Sequence, residues 1–185
     1  MAQSSSATRQ LSSENFVESC GAILFDFSNP QEKKVCLIHH FKNDEWLLAK
    51  GRRNCGEARK DAALREVMEE TGYRCRLLPV TMATRAPPTD ASANIPDRAR
   101  VYPGLTEPFM CTMREIGHRL HVKIIWWYIA VLDDESEANR LAGEDDFRPE
   151  FFSYRKAIET LTFQTDRGVL EKAFQLVEGL ASQST

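Results

Sequence analysis

Apolar residues along this chain fall into short runs separated by polar or proline-containing breaks, a pattern typical of a β-rich domain. Seven such runs predict strands, at residues 16–27, 34–41, 46–49, 75–83, 109–114, 122–132 and 151–154. The run at 124–129 reads Ile-Ile-Trp-Trp-Tyr-Ile. Its strong β-propensity predicts a strand that is largely buried.

Helical patterns appear at three places between and after these runs. Residues 61–71 are rich in helix formers and contain no Gly or Pro, and residues 155–161 predict a short second helix. The last helix is amphipathic, with Thr165 or Asp166 as its cap, and reaches about residue 180. Strands that surround helices in this order favour an α/β fold of the α/β/α sandwich type.

The sequence predicts one domain, residues 15–182, preceded by a disordered tail at residues 1–14. Within the domain, the segment 84–103 contains four prolines and little apolar content, which predicts a long loop insertion. The length of 185 residues and the 42% hydrophobic content fit a single domain with a real core. The sequence leaves the oligomeric state open.

The net charge and the cysteine content limit the classes of function that the sequence supports. The net charge of −3 does not predict nucleic-acid or membrane binding, and no run of about 18 apolar residues is present. Five scattered cysteines without a C-x-x-C pair indicate neither a zinc site nor a disulfide framework, and point to the cytoplasm or the nucleus. A secreted parent whose signal peptide had been removed would give the same sequence, so that alternative stays open.

Three carboxylates provide the first chemical signal. Glu66, Glu69 and Glu70 lie three and four residues apart on the first predicted helix, so they share one face. Their mutual repulsion is relieved by a hard divalent cation such as Mg²⁺, which takes oxygen ligands and bridges carboxylates to substrate phosphates. The alternative is a solvated acidic face. Apolar residues along the same helix, including Ala63 and Val67, indicate packing on both sides and favour the metal site.

This helix belongs to a longer motif, residues 51–73, with the sequence GRRNCGEARKDAALREVMEETGY. Its fixed positions are Gly51, Glu57, Arg65, Glu66, Glu69, Glu70 and Gly72. This spacing resembles the signature of the Nudix hydrolases at every fixed position, and the resemblance covers about residues 16–180. It implies a Nudix-type α/β/α sandwich with a mixed sheet, and hydrolysis of a nucleoside diphosphate linked to another group, or of a related pyrophosphate.

The resemblance also implies roles for individual residues. The implied catalytic residues are Glu57, Arg65, Glu66, Glu69 and Glu70. The implied ligands of Mg²⁺, with Mn²⁺ as the alternative ion, are Glu66, Glu69, Glu70 and the backbone carbonyl of Lys50. Glu69 is either a ligand or the general base, and Glu107 and Glu115 are further candidates for the base. Glu57 and Arg65 resemble the pair that braces the loop against the helix and so orients the carboxylates.

Cations border the predicted metal site and suggest what it binds. The candidate substrate-binding residues are His39, Lys42, Lys50, Arg52, Arg53, Arg114, His118 and Arg119. In a chain of net charge −3, such a grouping indicates a positive mouth for an anion, and Arg donors suit phosphate particularly well. The alternative is that these charges are scattered over the surface and only aid solubility.

Two segments outside the motif favour a substrate class. Residues 46–51 resemble the W-x-x-P-K-G entry of diadenosine-polyphosphate and diphosphoinositol-polyphosphate hydrolases, with Ala49 in place of proline. Residues 151–163 resemble the closing strand and helix of the same group. The favoured function is hydrolysis of diphosphoinositol polyphosphates, with diadenosine polyphosphates as an overlapping class. The alternatives are an ADP-ribose or other nucleoside-diphosphate-X pyrophosphatase, and a non-catalytic module that binds a phosphorylated small molecule.

Overall fold

The computed structural model describes residues 6–29, 31–88, 95–117, 121–134 and 139–181. Its ten strands are β1 (Phe16–Asp26), β2 (Lys34–His40), β3 (Glu45–Leu47), β4 (Lys50–Arg52), β5 (Cys75–Leu77), β6 (Val80–Thr84), β7 (Arg100–Leu105), β8 (Met110–Ile116), β9 (His121–Leu132) and β10 (Phe147–Ser153). Its α-helices are α1 (Arg59–Thr71), α2 (Tyr154–Thr160) and α3 (Gln164–Ala181). A short 3₁₀ helix at Ser13–Asn15 precedes β1.

Eight of the strands form one mixed sheet. The order along the sheet is β10-β2-β1-β9-β5, while β3 pairs with β2, β4 with β1, and β8 with β9. The long strands β1 and β9 run parallel, from Phe16 opposite Val122 to Phe25 opposite Val131, and the other pairs are antiparallel. The strands β6 and β7 form a separate two-stranded sheet.

Each face of the large sheet packs on helices. Because side chains alternate along a strand, β1 places Cys20, Ala22 and Leu24 against α1, and Ile23 and Phe25 against the layer that contains α2 and α3. We call these the α1 face and the α3 face. The predicted α/β/α sandwich with a mixed sheet is confirmed, and the burial of the run at 124–129 is confirmed for Ile125, Trp127, Tyr128 and Ile129, whose exposed fractions are at most 4%.

Three predicted boundaries were wrong. Residues 75–83 form two strands in different sheets, because Pro79 between them has no N–H to donate to a ladder. The predicted loop 84–103 is shorter, since β6 includes residue 84 and β7 begins at residue 100, and residues 89–94 lie outside the described part of the chain. The last helix begins at Gln164, so neither Thr165 nor Asp166 is its cap, and Asp166 is instead buried.

The predicted tail at 1–14 is described from residue 6 onward, and there Arg9 pairs with Glu115 on β8 at 2.7 Å. All five cysteines are free, with Cys20 and Cys36 buried. Among the helices of the described residues, none is long and apolar enough to cross a membrane.

Candidate functional site

The strand β4 carries the motif from the sheet into α1. It pairs with β1 so that Lys50 lies opposite Gly21, Gly51 opposite Cys20 and Arg52 opposite Ser19. Because side chains alternate, Lys50 and Arg52 belong to the α3 face, whereas Gly51 faces α1. Residues 53–58, which we call the motif loop, then lead into the helix.

Two glycines with positive φ lie in the motif loop and at the end of α1. Gly56 turns the motif loop at φ 78°, a conformation that favours glycine. Gly72 ends α1 at φ 75°, and its N–H donates to the carbonyl of Met68 at 2.8 Å. The sequence-based prediction that Gly72 stops the helix is confirmed.

An ion pair braces the motif loop against α1. The Arg65 Nε and Nη2 atoms donate to the two carboxylate oxygens of Glu57 at 2.7 and 3.0 Å, and Nη2 also donates to the Arg52 carbonyl at 3.0 Å. Hydrogen bonds from Arg65, and then from the Asn54 backbone N–H, lower the pKa of Glu57 to about 2. Glu57 is therefore ionised over the working pH range, and the brace stays intact.

The three motif carboxylates take up different positions along α1. Glu66 and Glu70 are buried, with 8% and 6% of their surface exposed, whereas the Glu69 side chain is 43% exposed. Arg65 Nη1 lies between Glu66 and Glu69, donating to them at 2.8 and 2.7 Å. On the other side, Glu70 Oε2 accepts a hydrogen bond from the Lys50 backbone N–H at 2.8 Å.

Burial raises the pKa values of Glu66 and Glu70, which we call the inner carboxylates. It raises the pKa of Glu70 to about 8 in spite of the opposing attraction of Lys50. No three His, Cys, Asp or Glu side chains of the described residues are grouped as a complete metal cage. Two buried carboxylates and a nearby backbone carbonyl nevertheless fit Mg²⁺, which is bound through one or two carboxylates and keeps several waters.

Gly51 brings the inner carboxylates up to the strand. A Cβ at this position would overlap Glu66 Oε2 and would lie 2.5 Å from Glu66 Oε1. Glycine thus allows the carboxylate of Glu66 to lie directly on the backbone of β4. The close approach at Gly51 is a packing requirement, since its φ is not among the positive values.

Four cations gather on the opposite side of β4, on the α3 face. We call Lys50, Arg52, Arg114 and Lys123 the basic cluster. Arg114 and Lys123 are directly opposite each other on β8 and β9, and burial, followed by the charges of Lys50, Arg114 and Arg52, lowers the pKa of Lys123. Gly21 makes room for the cluster, because a Cβ there would lie 2.7 Å from Lys50 Cβ and 2.9 Å from the Trp127 ring.

One buried acid faces these cations. Asp166 is 1% exposed, and its Oδ1 lies 3.6 Å from Arg114 Nη2, while its Oδ2 has no hydrogen-bond partner among the described residues. Burial raises the pKa of Asp166 against the attraction of Lys50 and Arg114. One carboxylate among four cations leaves the basic cluster with an excess of positive charge.

Other predicted substrate-binding residues lie away from this cluster or outside the description. Arg53 donates to Glu18 Oε2 at 3.0 Å, which places it on the α1 face and ties it to the structure of the loop. His39 stacks on Trp46 at 4.7 Å and bonds Asp44 at 2.7 Å, and Lys42 pairs with Asp146 at 2.6 Å. His118 and Arg119 lie outside the described residues.

Comparison with known proteins decides the family. A family model described as the NUDIX domain matches residues 18–172. The chain belongs to the Nudix family. Nudix enzymes act on small phosphorylated substrates and generally use divalent metals, typically Mg²⁺.

Solved structures of other Nudix proteins share the fold. The Ap4A hydrolase of C. elegans is 15% identical with a TM-score of 0.55, over 86% of this chain and 96% of that chain. A NUDIX-family hydrolase from Clostridium perfringens is 17% identical with a TM-score of 0.55, over 88% and 97%. The E. coli dihydroneopterin triphosphate pyrophosphohydrolase is 14% identical with a TM-score of 0.50, over 84% and 92%. At these identities the likeness shows the Nudix fold alone.

Three acidic residues near the Nudix motif were missed as site residues. Asp166 was interpreted only as a helix cap, and Glu144 was part of an acidic connector, although its charge contributes to raising the pKa values of Glu66 and Glu70. Glu18 places a charge near the start of the apolar strand β1, and that position was the feature of the sequence that could have indicated its role. Among the candidate bases, Glu107 lines a groove of about 770 Å³ beside the motif loop, whereas Glu115 pairs with Arg9.

Proposed function

We propose that this Nudix hydrolase cleaves the pyrophosphate bond of diphosphoinositol polyphosphates. The basic cluster carries the proposal, because Lys50, Arg52, Arg114 and Lys123 gather four cations on the α3 face, where Asp166 is the one buried acid of the described residues. Such crowding of like charges is unfavourable in the empty protein and is relieved by a polyanion. A ligand with many phosphates and no large apolar surface fits this environment best.

Carboxylates of α1 and a backbone carbonyl of β4 would hold the metal. Glu66, Glu70 and the carbonyl of Lys50 would hold Mg²⁺ or Mn²⁺, with Glu69 as a further ligand or as the base. When bound, the ion supplies Lewis-acid polarisation of a phosphate oxygen and lowers the pKa of a water. Burial raises the pKa of both Glu66 and Glu70, and a bound cation would stabilise their ionised forms, which supports this assignment.

The protein residues would divide the remaining work. The basic cluster would bind the phosphates through charge-assisted hydrogen bonds and hold the scissile bond beside β4. Arg65 holds Glu66 and Glu69 in fixed orientations through its Nη1 atom. Glu69 is our candidate for the group that takes the proton of the attacking water, because its carboxylate is the exposed one of the three.

A substrate panel tests the proposal. Turnover of 5-diphosphoinositol pentakisphosphate, diadenosine polyphosphates, ADP-ribose and NADH should be measured with Mg²⁺ and with a chelator. We expect the highest kcat/KM for the inositol pyrophosphate, and loss of turnover with the chelator. A preference for ADP-ribose would overturn the substrate assignment and leave the cations as surface charges, whereas a preference for diadenosine polyphosphates would assign the basic cluster to a nucleotide polyphosphate.

The same panel separates an enzyme from a binding module. Glu66→Gln and Glu70→Gln each replace one buried carboxyl group by an amide of similar volume, which cannot ionise to bind a cation. We expect both variants to lose metal-dependent turnover while they still bind the polyphosphate through the basic cluster. Full turnover in both variants would show that the site assignment is wrong.

A further inference from the structure

A single acid on β1 collects donors from three parts of the molecule. The Glu18 side chain is only 11% exposed. Its Oε1 accepts from Arg59 Nη2 at 2.6 Å, from Arg59 Nε at 2.8 Å and from Trp126 Nε1 at 2.8 Å, and its Oε2 accepts from Arg53 Nε at 3.0 Å. The Glu18 backbone carbonyl also accepts from the Arg53 N–H at 3.0 Å.

These donors come from the motif loop, from the start of α1 and from β9. Arg53 begins the motif loop, Arg59 begins α1, and Trp126 lies on β9 beside β1. The Arg59 guanidinium also lies over the Trp126 ring, 4.3 Å from its centroid, so cation–π attraction adds to the ion pair. A half-buried carboxylate with four donors is well satisfied, which makes this junction rigid.

The motif loop depends on polar contacts of this kind. Within residues 53–58, all of which are described, no side chain is buried. Ala58 precedes α1 and has no side-chain acceptor for the first helical N–H groups. Apolar packing therefore does not fix the loop, and its place is set by the Glu57–Arg65 pair at one end and the Glu18 contacts at the other.

We propose that Glu18 is a positioning residue for the metal-binding carboxylates, acting through Arg53 and the motif loop. Arg53 Nη1 donates to the Glu57 carbonyl at 2.9 Å, Glu57 receives Arg65, and Arg65 donates to Glu66. Each link is a hydrogen bond of 2.7 to 3.0 Å. Glu18 lies on the α1 face, away from the basic cluster, so it affects the metal site and not the binding of phosphates.

The test compares Glu18→Gln with Glu178→Gln. Gln keeps the size of the side chain but removes the charge that pairs with Arg53 and Arg59. Glu178 is a matched control, because it lies on α3, outside the site, and forms a 2.8 Å ion pair with Lys33. The measurements are the melting temperature, amide hydrogen exchange of residues 52–58, the Mn²⁺ concentration at half-maximal activity, and kcat and KM for 5-diphosphoinositol pentakisphosphate.

For Glu18→Gln we expect exchange in residues 52–58 to become about tenfold faster, with kcat lowered about tenfold and KM within about twofold. The Mn²⁺ midpoint should rise, while the melting temperature stays close to that of the control. Arg53→Gln should reproduce this pattern, and the double variant should be no worse than either single variant, since both changes break one chain of contacts.

Two results would overturn the proposal. One is unchanged loop exchange with unchanged kcat. The other is a uniform rise of exchange over the whole chain with a large fall in melting temperature, which would make Glu18 an ordinary stabilising residue. The measurements of kcat and KM rest on the proposed function, but the measurement of amide hydrogen exchange does not. Faster loop exchange together with a wild-type protein that hydrolyses nothing in the panel would sustain the role of Glu18 and reject the proposed substrate.

Discussion

Replacing Gly51 by alanine is expected to lower kcat about 100-fold and leave the fold intact. The new Cβ would overlap the carboxylate of Glu66, whose farther oxygen, Oε1, would lie only 2.5 Å away. An ordinary contact needs at least 3.4 Å, so this oxygen must move by about 0.9 Å (3.4 − 2.5) and the nearer one by more. The obstacle is the end of a flexible side chain, and the Gly51 φ needs no glycine, so the backbone can stay in place.

The displacement sets the size of the effect. Misplacement of a catalytic group by 1 Å costs about 100-fold in rate, or roughly 2.7 kcal/mol of transition-state stabilisation. The assay is kcat with saturating Mg²⁺, together with the rise in melting temperature that Mg²⁺ causes, and both should collapse in Gly51→Ala. The metal-free melting temperature should shift by less than about 3 °C.

A matched glycine controls for the added methyl group. Gly179 lies on α3, and within the described part of the chain no atom of another element lies within 4 Å of the point that its Cβ would occupy. Gly179→Ala should therefore keep full activity and stabilise the helix by about 0.5–1 kcal/mol. If Gly51→Ala retains more than a third of the wild-type kcat and the same response to Mg²⁺, then the position of Glu66 against β4 is not required for catalysis.

Three further predictions address charge. Without metal, Glu70→Gln should melt higher than the wild type at pH 8 and show little difference at pH 4.5, because a folded pKa of about 8 against an ordinary 4.5 makes wild-type stability fall as pH rises between those values. Arg114→Ala or Lys123→Ala should raise KM for 5-diphosphoinositol pentakisphosphate about tenfold with little change in kcat, and weaken its salt dependence; an unchanged KM would remove both from the phosphate site. Glu57→Gln should lower the melting temperature by roughly 3 °C at pH 7 and by nothing at pH 2, because the lowered pKa of Glu57 stabilises the fold above its ordinary pKa and is lost as pH falls to about 2; an equal loss at both pH values would mean that the Arg65 pair is not its cause.

Local periodicity explains which parts of the fold were predictable. The helix α1 and the strands β1, β2 and β9 have long, regular patterns, and each was predicted within about two residues of its observed bounds. The residues 75–83 were not, because a run of apolar residues does not reveal that Pro79 divides it between two sheets. The helix period and the apolar neighbours Ala63 and Val67 predicted packing on both sides of α1, but not that Glu66 and Glu70 are buried while Glu69 is exposed.

The partners of charged residues were not predictable from the sequence. Arg52 and Arg53 are adjacent in the same motif. The alternation of side chains along β4 places Arg52 in the basic cluster, whereas Arg53 lies on the other face and pairs with Glu18. His39 and Lys42 had equal standing as phosphate ligands, but each has an acid nearby that only tertiary structure identifies. Charge in the sequence gives the number of cations, whereas the strand register decides which face receives them.

The strand β4 explains why a phosphate site and a metal site can meet in so little space. Its three residues alternate, so Lys50 and Arg52 supply positive charge on the α3 face while Gly51 leaves the α1 face open to Glu66. Only one layer of backbone separates the two sets of charge, and the Lys50 N–H already binds Glu70 across it. The side chain of a larger residue at position 51 would displace the carboxylate of Glu66 from β4, and so from the basic cluster. In the proposed function, the glycine at the centre of Lys50-Gly51-Arg52 would therefore bring the metal site and the phosphate site together.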